Sequence, residues 1–161
     1  MEHELIEAAA NLTSDIIPIV PWLDPVTAHA VADITQSLIQ HHPEVQAIIL
    51  FGSVARHDER PLDNLHPSDV DLLFVINAGA LAPGAERLTH AQELALHATI
   101  GEADYRHRSP REINALFVHR DLAGWDSLFL GNVARDGILL WSRGDLPDAL
   151  RPIQARANST R

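Results

Sequence analysis

Val45–Phe51 is an apolar run of strand length that closes on Gly52-Ser53. A second such run, 69–76, opens on Ser68-Asp69-Val70-Asp71 and continues apolar to Ile76. A chain with this order must turn sharply after one strand and deliver two carboxylates at the head of the next. Alternate residues of a strand point to the same side, so Asp69 and Asp71 project together while Val70 and Leu72 face away. Paired carboxylates suit Mg²⁺, a hard cation usually held by one or two carboxylates together with substrate phosphates. A turn able to receive phosphate, followed by carboxylates able to hold metal, reads as a nucleotidyl-transfer site.

Each residue has an ordinary reading beside this one. An isolated Gly-Ser is a capped turn; ahead of Asp69-Val70-Asp71 it becomes a phosphate cradle. Gly52 lets backbone approach a ligand, and Ser53 stands where the unpaired N–H groups of a short helix favour an anion. Asp69 alone would be a turn residue, but an acid inside an apolar strand is costly without a partner, which singles out Asp71. Arg56, one helical turn past Ser53, either joins the same mouth or pairs with Asp58 or Glu59. Arg106, Arg108 and Arg111 flank a third strand candidate, with surface charge as their default reading.

Composition narrows the function classes. At 161 residues the chain is long enough for a substantial core, and 46% of it is hydrophobic. The formal net charge is −10 and all twelve basic residues are arginine. Such a chain is a poor candidate for a broad nucleic-acid footprint, although single arginines still match phosphate. It has no cysteine, so disulfides and thiolate metal sites are excluded. The ten histidines show no tight ligand spacing, and the three tryptophans read as core or interface anchors. No apolar run reaches the ~18 residues of a membrane helix, and the first residues lack the basic start of a signal peptide. A cytoplasmic protein is expected.

Asp24-Pro25 starts a helix whose apolar positions recur through Leu38 and Ile39 up to His42, and Pro43 ends it. Helices are further expected over 86–100 and 124–135, a third strand from Glu112 to Val118, and a short fourth strand over 138–141. The segment 101–110 reads as a polar loop. The alternation of helix and strand predicts an α/β (α+β) sheet flanked by helices.

The residues 50–56, Leu-Phe-Gly-Ser-Val-Ala-Arg, and 68–75, Ser-Asp-Val-Asp-Leu-Leu-Phe-Val, resemble the signature of the DNA polymerase β-like nucleotidyltransferase superfamily. The resemblance is greatest to its minimal, antitoxin-like members (the MNT type), and more distant to aminoglycoside adenylyltransferases. It spans roughly 26–143, with a separation between Ser53 and Asp69 longer than is usual in the family. It implies a mixed sheet of about four strands. It also implies Mg²⁺-dependent transfer of a nucleotide, AMP from ATP, to a protein or small-molecule hydroxyl. Asp69 and Asp71 would hold the metal, with Gly52, Ser53 and Arg56 on the nucleotide. The family commonly supplies a third carboxylate from a neighbouring strand. Glu112 is the candidate, but Asn114 shares its face, so an amide in that place is the alternative. The implied partner is a HEPN-type protein or a second copy, because too few residues follow 143 to complete an acceptor cleft. A binding or docking module of the same fold is the rival reading. On this division the chain comprises a helical lead (1–23), the nucleotidyltransferase domain (24–143) and a loosely ordered tail (144–161).

Overall fold

A computed structural model of the chain describes residues 19–160, so most of the helical lead expected over 1–23 lies outside the described residues. The elements follow as α1 (Pro25–His41), β1 (Val45–Phe51), α2 (Gly52–Arg56), β2 (Val70–Ile76), α3 (His90–His107), β3 (Ile113–His119), α4 (Ser127–Asp136), β4 (Ile138–Ser142) and α5 (Arg151–Thr160). The sheet order is β3-β2-β1-β4, with β1 antiparallel to both β2 and β4 and β2 parallel to β3. This is the sheet flanked by helices that the alternation predicts, with the mixed, four-stranded pairing that the resemblance implies.

The central strands are apolar at nearly every position because both faces of the sheet are covered. Ile48, Leu50, Leu72, Phe74 and Ile76 turn to one face, where they pack with Ile34 and Leu38 of α1 and Leu96 and Ile100 of α3. Ile49, Leu73 and Val75 turn to the other and meet Leu130 and Val133 of α4 and Ile153 of α5. Burying each large aliphatic or aromatic side chain of this kind is worth roughly 1.5–3 kcal/mol.

Local chemistry sets the helix ends. Asp24 caps α1 by accepting from the Thr27 backbone N–H at 3.0 Å and from its hydroxyl at 2.9 Å, with Pro25 in the first turn. At α3, Thr89 and Gln92 form a reciprocal capping box, which moves the start from the expected 86 to His90. That helix then runs on to His107, correcting the polar loop expected over 101–110. Its outer face is solvated, so the stretch reads as polar. Ala103 nonetheless packs into the core, and Arg106 and His107 both bind Asp33 of α1.

The tail is also corrected. Residues 144–160 are ordered onto the second face of the sheet, with Leu146, Leu150 and Ile153 buried. Gln154 ties the segment together, accepting from the Leu146 N–H at 3.0 Å and donating to the Gly144 carbonyl at 3.3 Å. Pro147 and Pro152, which suggested looseness, occupy the cap of a 3-10 turn (Asp148–Leu150) and the first turn of α5. Both are places where a missing N–H costs nothing.

Candidate active site

Asp71 is the second residue of β2 and pairs across the sheet with Phe51 on one side and Asn114 on the other. Asp69 lies two residues earlier on the same face. Their convergence is fixed by one side chain: the Asn114 Nδ2 donates to Asp69 Oδ2 at 3.0 Å and to Asp71 Oδ1 at 3.1 Å. A single amide nitrogen thus reaches both carboxylates, which converge on one point.

Gly52 makes room for this arrangement. Its φ of +77° is in the left-handed region, and a Cβ placed there would run into Asp71 Oδ2. The glycine is therefore required twice, by the sharp turn from β1 into α2 and by the carboxylate that fills the space above it. Phe51, at the N-cap of α2, offers no side-chain hydrogen bond to the N–H groups of the first turn, which includes Ser53.

Burial raises the Asp71 carboxyl above its ordinary pKa. The Asn114 hydrogen bond opposes that rise, the charge of Asp69 adds to it, and Arg56 works against it. Arg56 itself is exposed and donates from Nε to Asp58 Oδ2 at 3.2 Å. It is thus held by Asp58, the pairing that was its ordinary reading, and its charge is one of the weaker influences on Asp71.

Glu112 takes a different place from the one expected of a third carboxylate. It lies just before β3 with its side chain exposed, and its backbone carbonyl accepts the Val70 N–H at 2.8 Å. Among the described residues no group of three or more His, Cys, Asp or Glu side chains converges as a metal site. Parallel pairing of β2 with β3 sets Asn114, not Glu112, beside the carboxylate pair. Alternation along β3 had already put Asn114 among the candidates; the pairing register that decides between the two is a long-range property.

Arg111 departs from the surface-charge reading. It is buried, and its Nη1 donates to the carbonyls of Arg60 at 2.9 Å and Ser68 at 2.8 Å. Those two residues also pair with each other, the Arg60 N–H donating to the Ser68 hydroxyl at 2.7 Å. The long connection between α2 and β2 is therefore closed at its neck immediately before Asp69. Nothing local in the sequence distinguishes a guanidinium that holds backbone from one that faces water. Arg106 is likewise engaged, on Asp33, whose carboxyl is drawn below its usual range by Arg106 and His107 against the opposing effect of burial.

The tryptophans are all half-buried anchors. Trp22 donates to the Val54 carbonyl of α2 at 2.7 Å and stacks on His57 at 4.6 Å. Trp125 lies against Phe129, and Phe129 meets Phe51 edge-on at 5.6 Å. Phe51 is the cross-strand neighbour of Asp71, so an aromatic shelf adjoins the carboxylates on their own face of the sheet.

The donor set fits Mg²⁺: two aligned carboxylates, a neutral amide with an oxygen to offer, and no sulfur or imidazole to favour softer metals.

No protein-family model and no curated protein sequence matches this chain. Among solved structures it is similar to a toxin–antitoxin complex with AMP-PNP, at 17% identity and a TM-score of 0.46, over 80% of this chain and 84% of that one. It is similar to a chain from the tri-AMPylated Shewanella oneidensis HEPN toxin in complex with MNT antitoxin, at 16% identity and a TM-score of 0.45, over 84% and 87% of the two chains. A putative nucleotidyltransferase from Sulfolobus solfataricus is similar at 16% identity and a TM-score of 0.42, over the same shares.

Proposed function

We propose that the chain is a nucleotidyltransferase that moves AMP from ATP onto a hydroxyl of a protein partner, of the HEPN type that the family resemblance implies. The observation that carries this reading is the convergence of Asp69 and Asp71 on one amide nitrogen, with Asp71 lying over a glycine whose missing Cβ leaves it the space.

Bound between the carboxylates, Mg²⁺ would neutralise charge developing on the transferring phosphoryl group. The chain's own residues do the rest. Gly52 and Ser53 present backbone N–H groups to the outer phosphates, and Arg56 adds positive charge at the same mouth. The acceptor hydroxyl attacks the α-phosphorus in line; its bond forms as the bond to pyrophosphate breaks, and the hydroxyl proton passes to solvent or to a carboxylate. The aromatic shelf of Phe51 and Phe129 offers a surface beside the carboxylates for the base or the acceptor.

Labelled ATP, Mg²⁺ and a HEPN-type partner should yield transferred AMP, and Asp71→Asn should lower that transfer by two or more orders of magnitude. Loss of metal-ion stabilisation is worth several kcal/mol, and each ~1.4 kcal/mol is tenfold in rate. The apo variant should melt no lower than wild type at neutral pH, because burial and Asp69 already disfavour the ionised Asp71. Absence of transfer and of Asp71-dependent nucleotide binding would leave the docking module. One feature favours that second reading: the place beside the pair is held by an amide, which cannot act as a base.

A further inference from the structure

Asn114 is exposed, and its side-chain hydrogen bonds run to the two site carboxylates. A carboxamide is two-ended. Its nitrogen end donates, its oxygen end accepts, and a half-turn about Cβ–Cγ exchanges them. Facing two carboxylates, only the nitrogen end is attractive. Facing a cation lodged between those carboxylates, only the oxygen end is.

We propose that Asn114 is an amide switch: it bridges Asp69 and Asp71 through its nitrogen when the site lacks a cation, and turns its oxygen inward as the third ligand when a divalent cation binds. The proposal rests on the metal-site part of the nucleotidyl-transfer reading and adds what the neutral third group does there. A third carboxylate would repel the other two in the empty site, whereas the amide holds them together and preserves their spacing. The exchange has a cost. Two charge-assisted hydrogen bonds are given up on metal binding, and the site brings a formal charge of −2 rather than −3 to the cation. Cation affinity is correspondingly modest, and ligand charge count is a principal means by which oxygen sites set their affinity.

The test uses the intact chain with Mg²⁺ and Mn²⁺ as the probes. In ¹⁵N-¹H spectra, the Asn114 side-chain NH₂ signals, identified by their loss in Asn114→Asp, should shift on Mg²⁺ addition as their carboxylate bonds break. By Mn²⁺ electron paramagnetic resonance, Asn114→Asp should bind about tenfold more tightly. Asn114→Leu should bind roughly 10–100-fold more weakly, with a circular dichroism spectrum showing that it folds. Asp71→Asn serves as the reference for the pair itself. If wild type binds Mn²⁺ in an Asp71-dependent way while Asn114→Leu binds equally well and the amide signals stay fixed, the switch is wrong and the carboxylate site stands. If wild type and Asp71→Asn are alike in showing no Mn²⁺ binding with or without ATP, the metal site falls and the switch with it.

Discussion

At the scale of single residues, Gly52 and Asp71 form one unit. The backbone at Gly52 is left-handed, and the space its side chain would fill is occupied by the Asp71 carboxylate. Gly52→Ala should therefore cost roughly 1–3 kcal/mol in unfolding free energy, from backbone strain and from displacement of the carboxylate. The two contributions can be separated by a double-mutant cycle with Asp71→Ala. Strain persists in the double variant, whereas the collision does not, so the two changes should be less than additive by about 0.5 kcal/mol or more. Additive effects in urea titrations would show that the carboxylate moves aside freely. A test of phosphate binding by a bulky replacement at Gly52 would be confounded by this loss of stability. Asp71 was legible from its neighbours alone, an acid set among apolar residues. Gly52's relation to it was not, because the two meet only when β1 pairs with β2.

At the scale of elements, the sequence yielded most of what is local. The cap and proline of α1, the apolar runs of β1 and β2, and the short helix after Gly52 follow from nearest-neighbour chemistry. Strand order, the parallel pairing of β3, and hence the choice of Asn114 over Glu112 depend on contacts dozens of residues apart. The C-terminal segment was misread for a related reason. Its prolines signal interruption in isolation, and only the buried Leu150 and Ile153 reveal that it completes the core. Ile153→Ala should lower unfolding free energy by about 2–5 kcal/mol; a loss under ~1 kcal/mol in urea titrations would return the segment to the loose tail first expected.

The junction of β3 with α3 carries a pH dependence. The His119 Nε2 accepts the Leu88 N–H at 3.1 Å, a bond that only the neutral ring can make. Burial lowers the His119 pKa, Arg87 lowers it further, and Asp121 and Glu93 pull the other way. A histidine with a folded pKa below its unfolded value of about 6.5 binds fewer protons in the folded state. Stability is then complete above that unfolded value and declines as pH falls through it. Wild type should lose more stability between pH 8 and pH 5 than His119→Gln does. Parallel pH profiles for the two proteins would remove His119 from the account.

At the scale of the whole molecule, the carboxylate pair stands on the face of the sheet that α4 and α5 cover, next to Phe51 and Phe129. None of the described helices is long and apolar enough to cross a membrane. Just ahead of Asp69 in the chain comes the excursion of residues 61–67, exposed as far as His66, with Leu65 89% exposed. The buried Arg111 guanidinium grips both sides of its neck. Whatever the excursion contains, its ends are brought together by groups outside it, and the position of Asp69 is insulated from its length. Varying loop length costs little in itself, about 0.6 kcal/mol per doubling. The excursion is thus a graft site. A shorter Gly-Ser segment, or a foreign peptide, inserted between Arg60 and Ser68 should leave the melting temperature within about 2–4 °C of wild type. The same exchange in an Arg111→Met background should cost more stability, because the neck is then held only by the hydrogen bonds between Arg60 and Ser68. The chain can therefore acquire new recognition next to Asp69 by changing a loop, without renegotiating the strand that follows it.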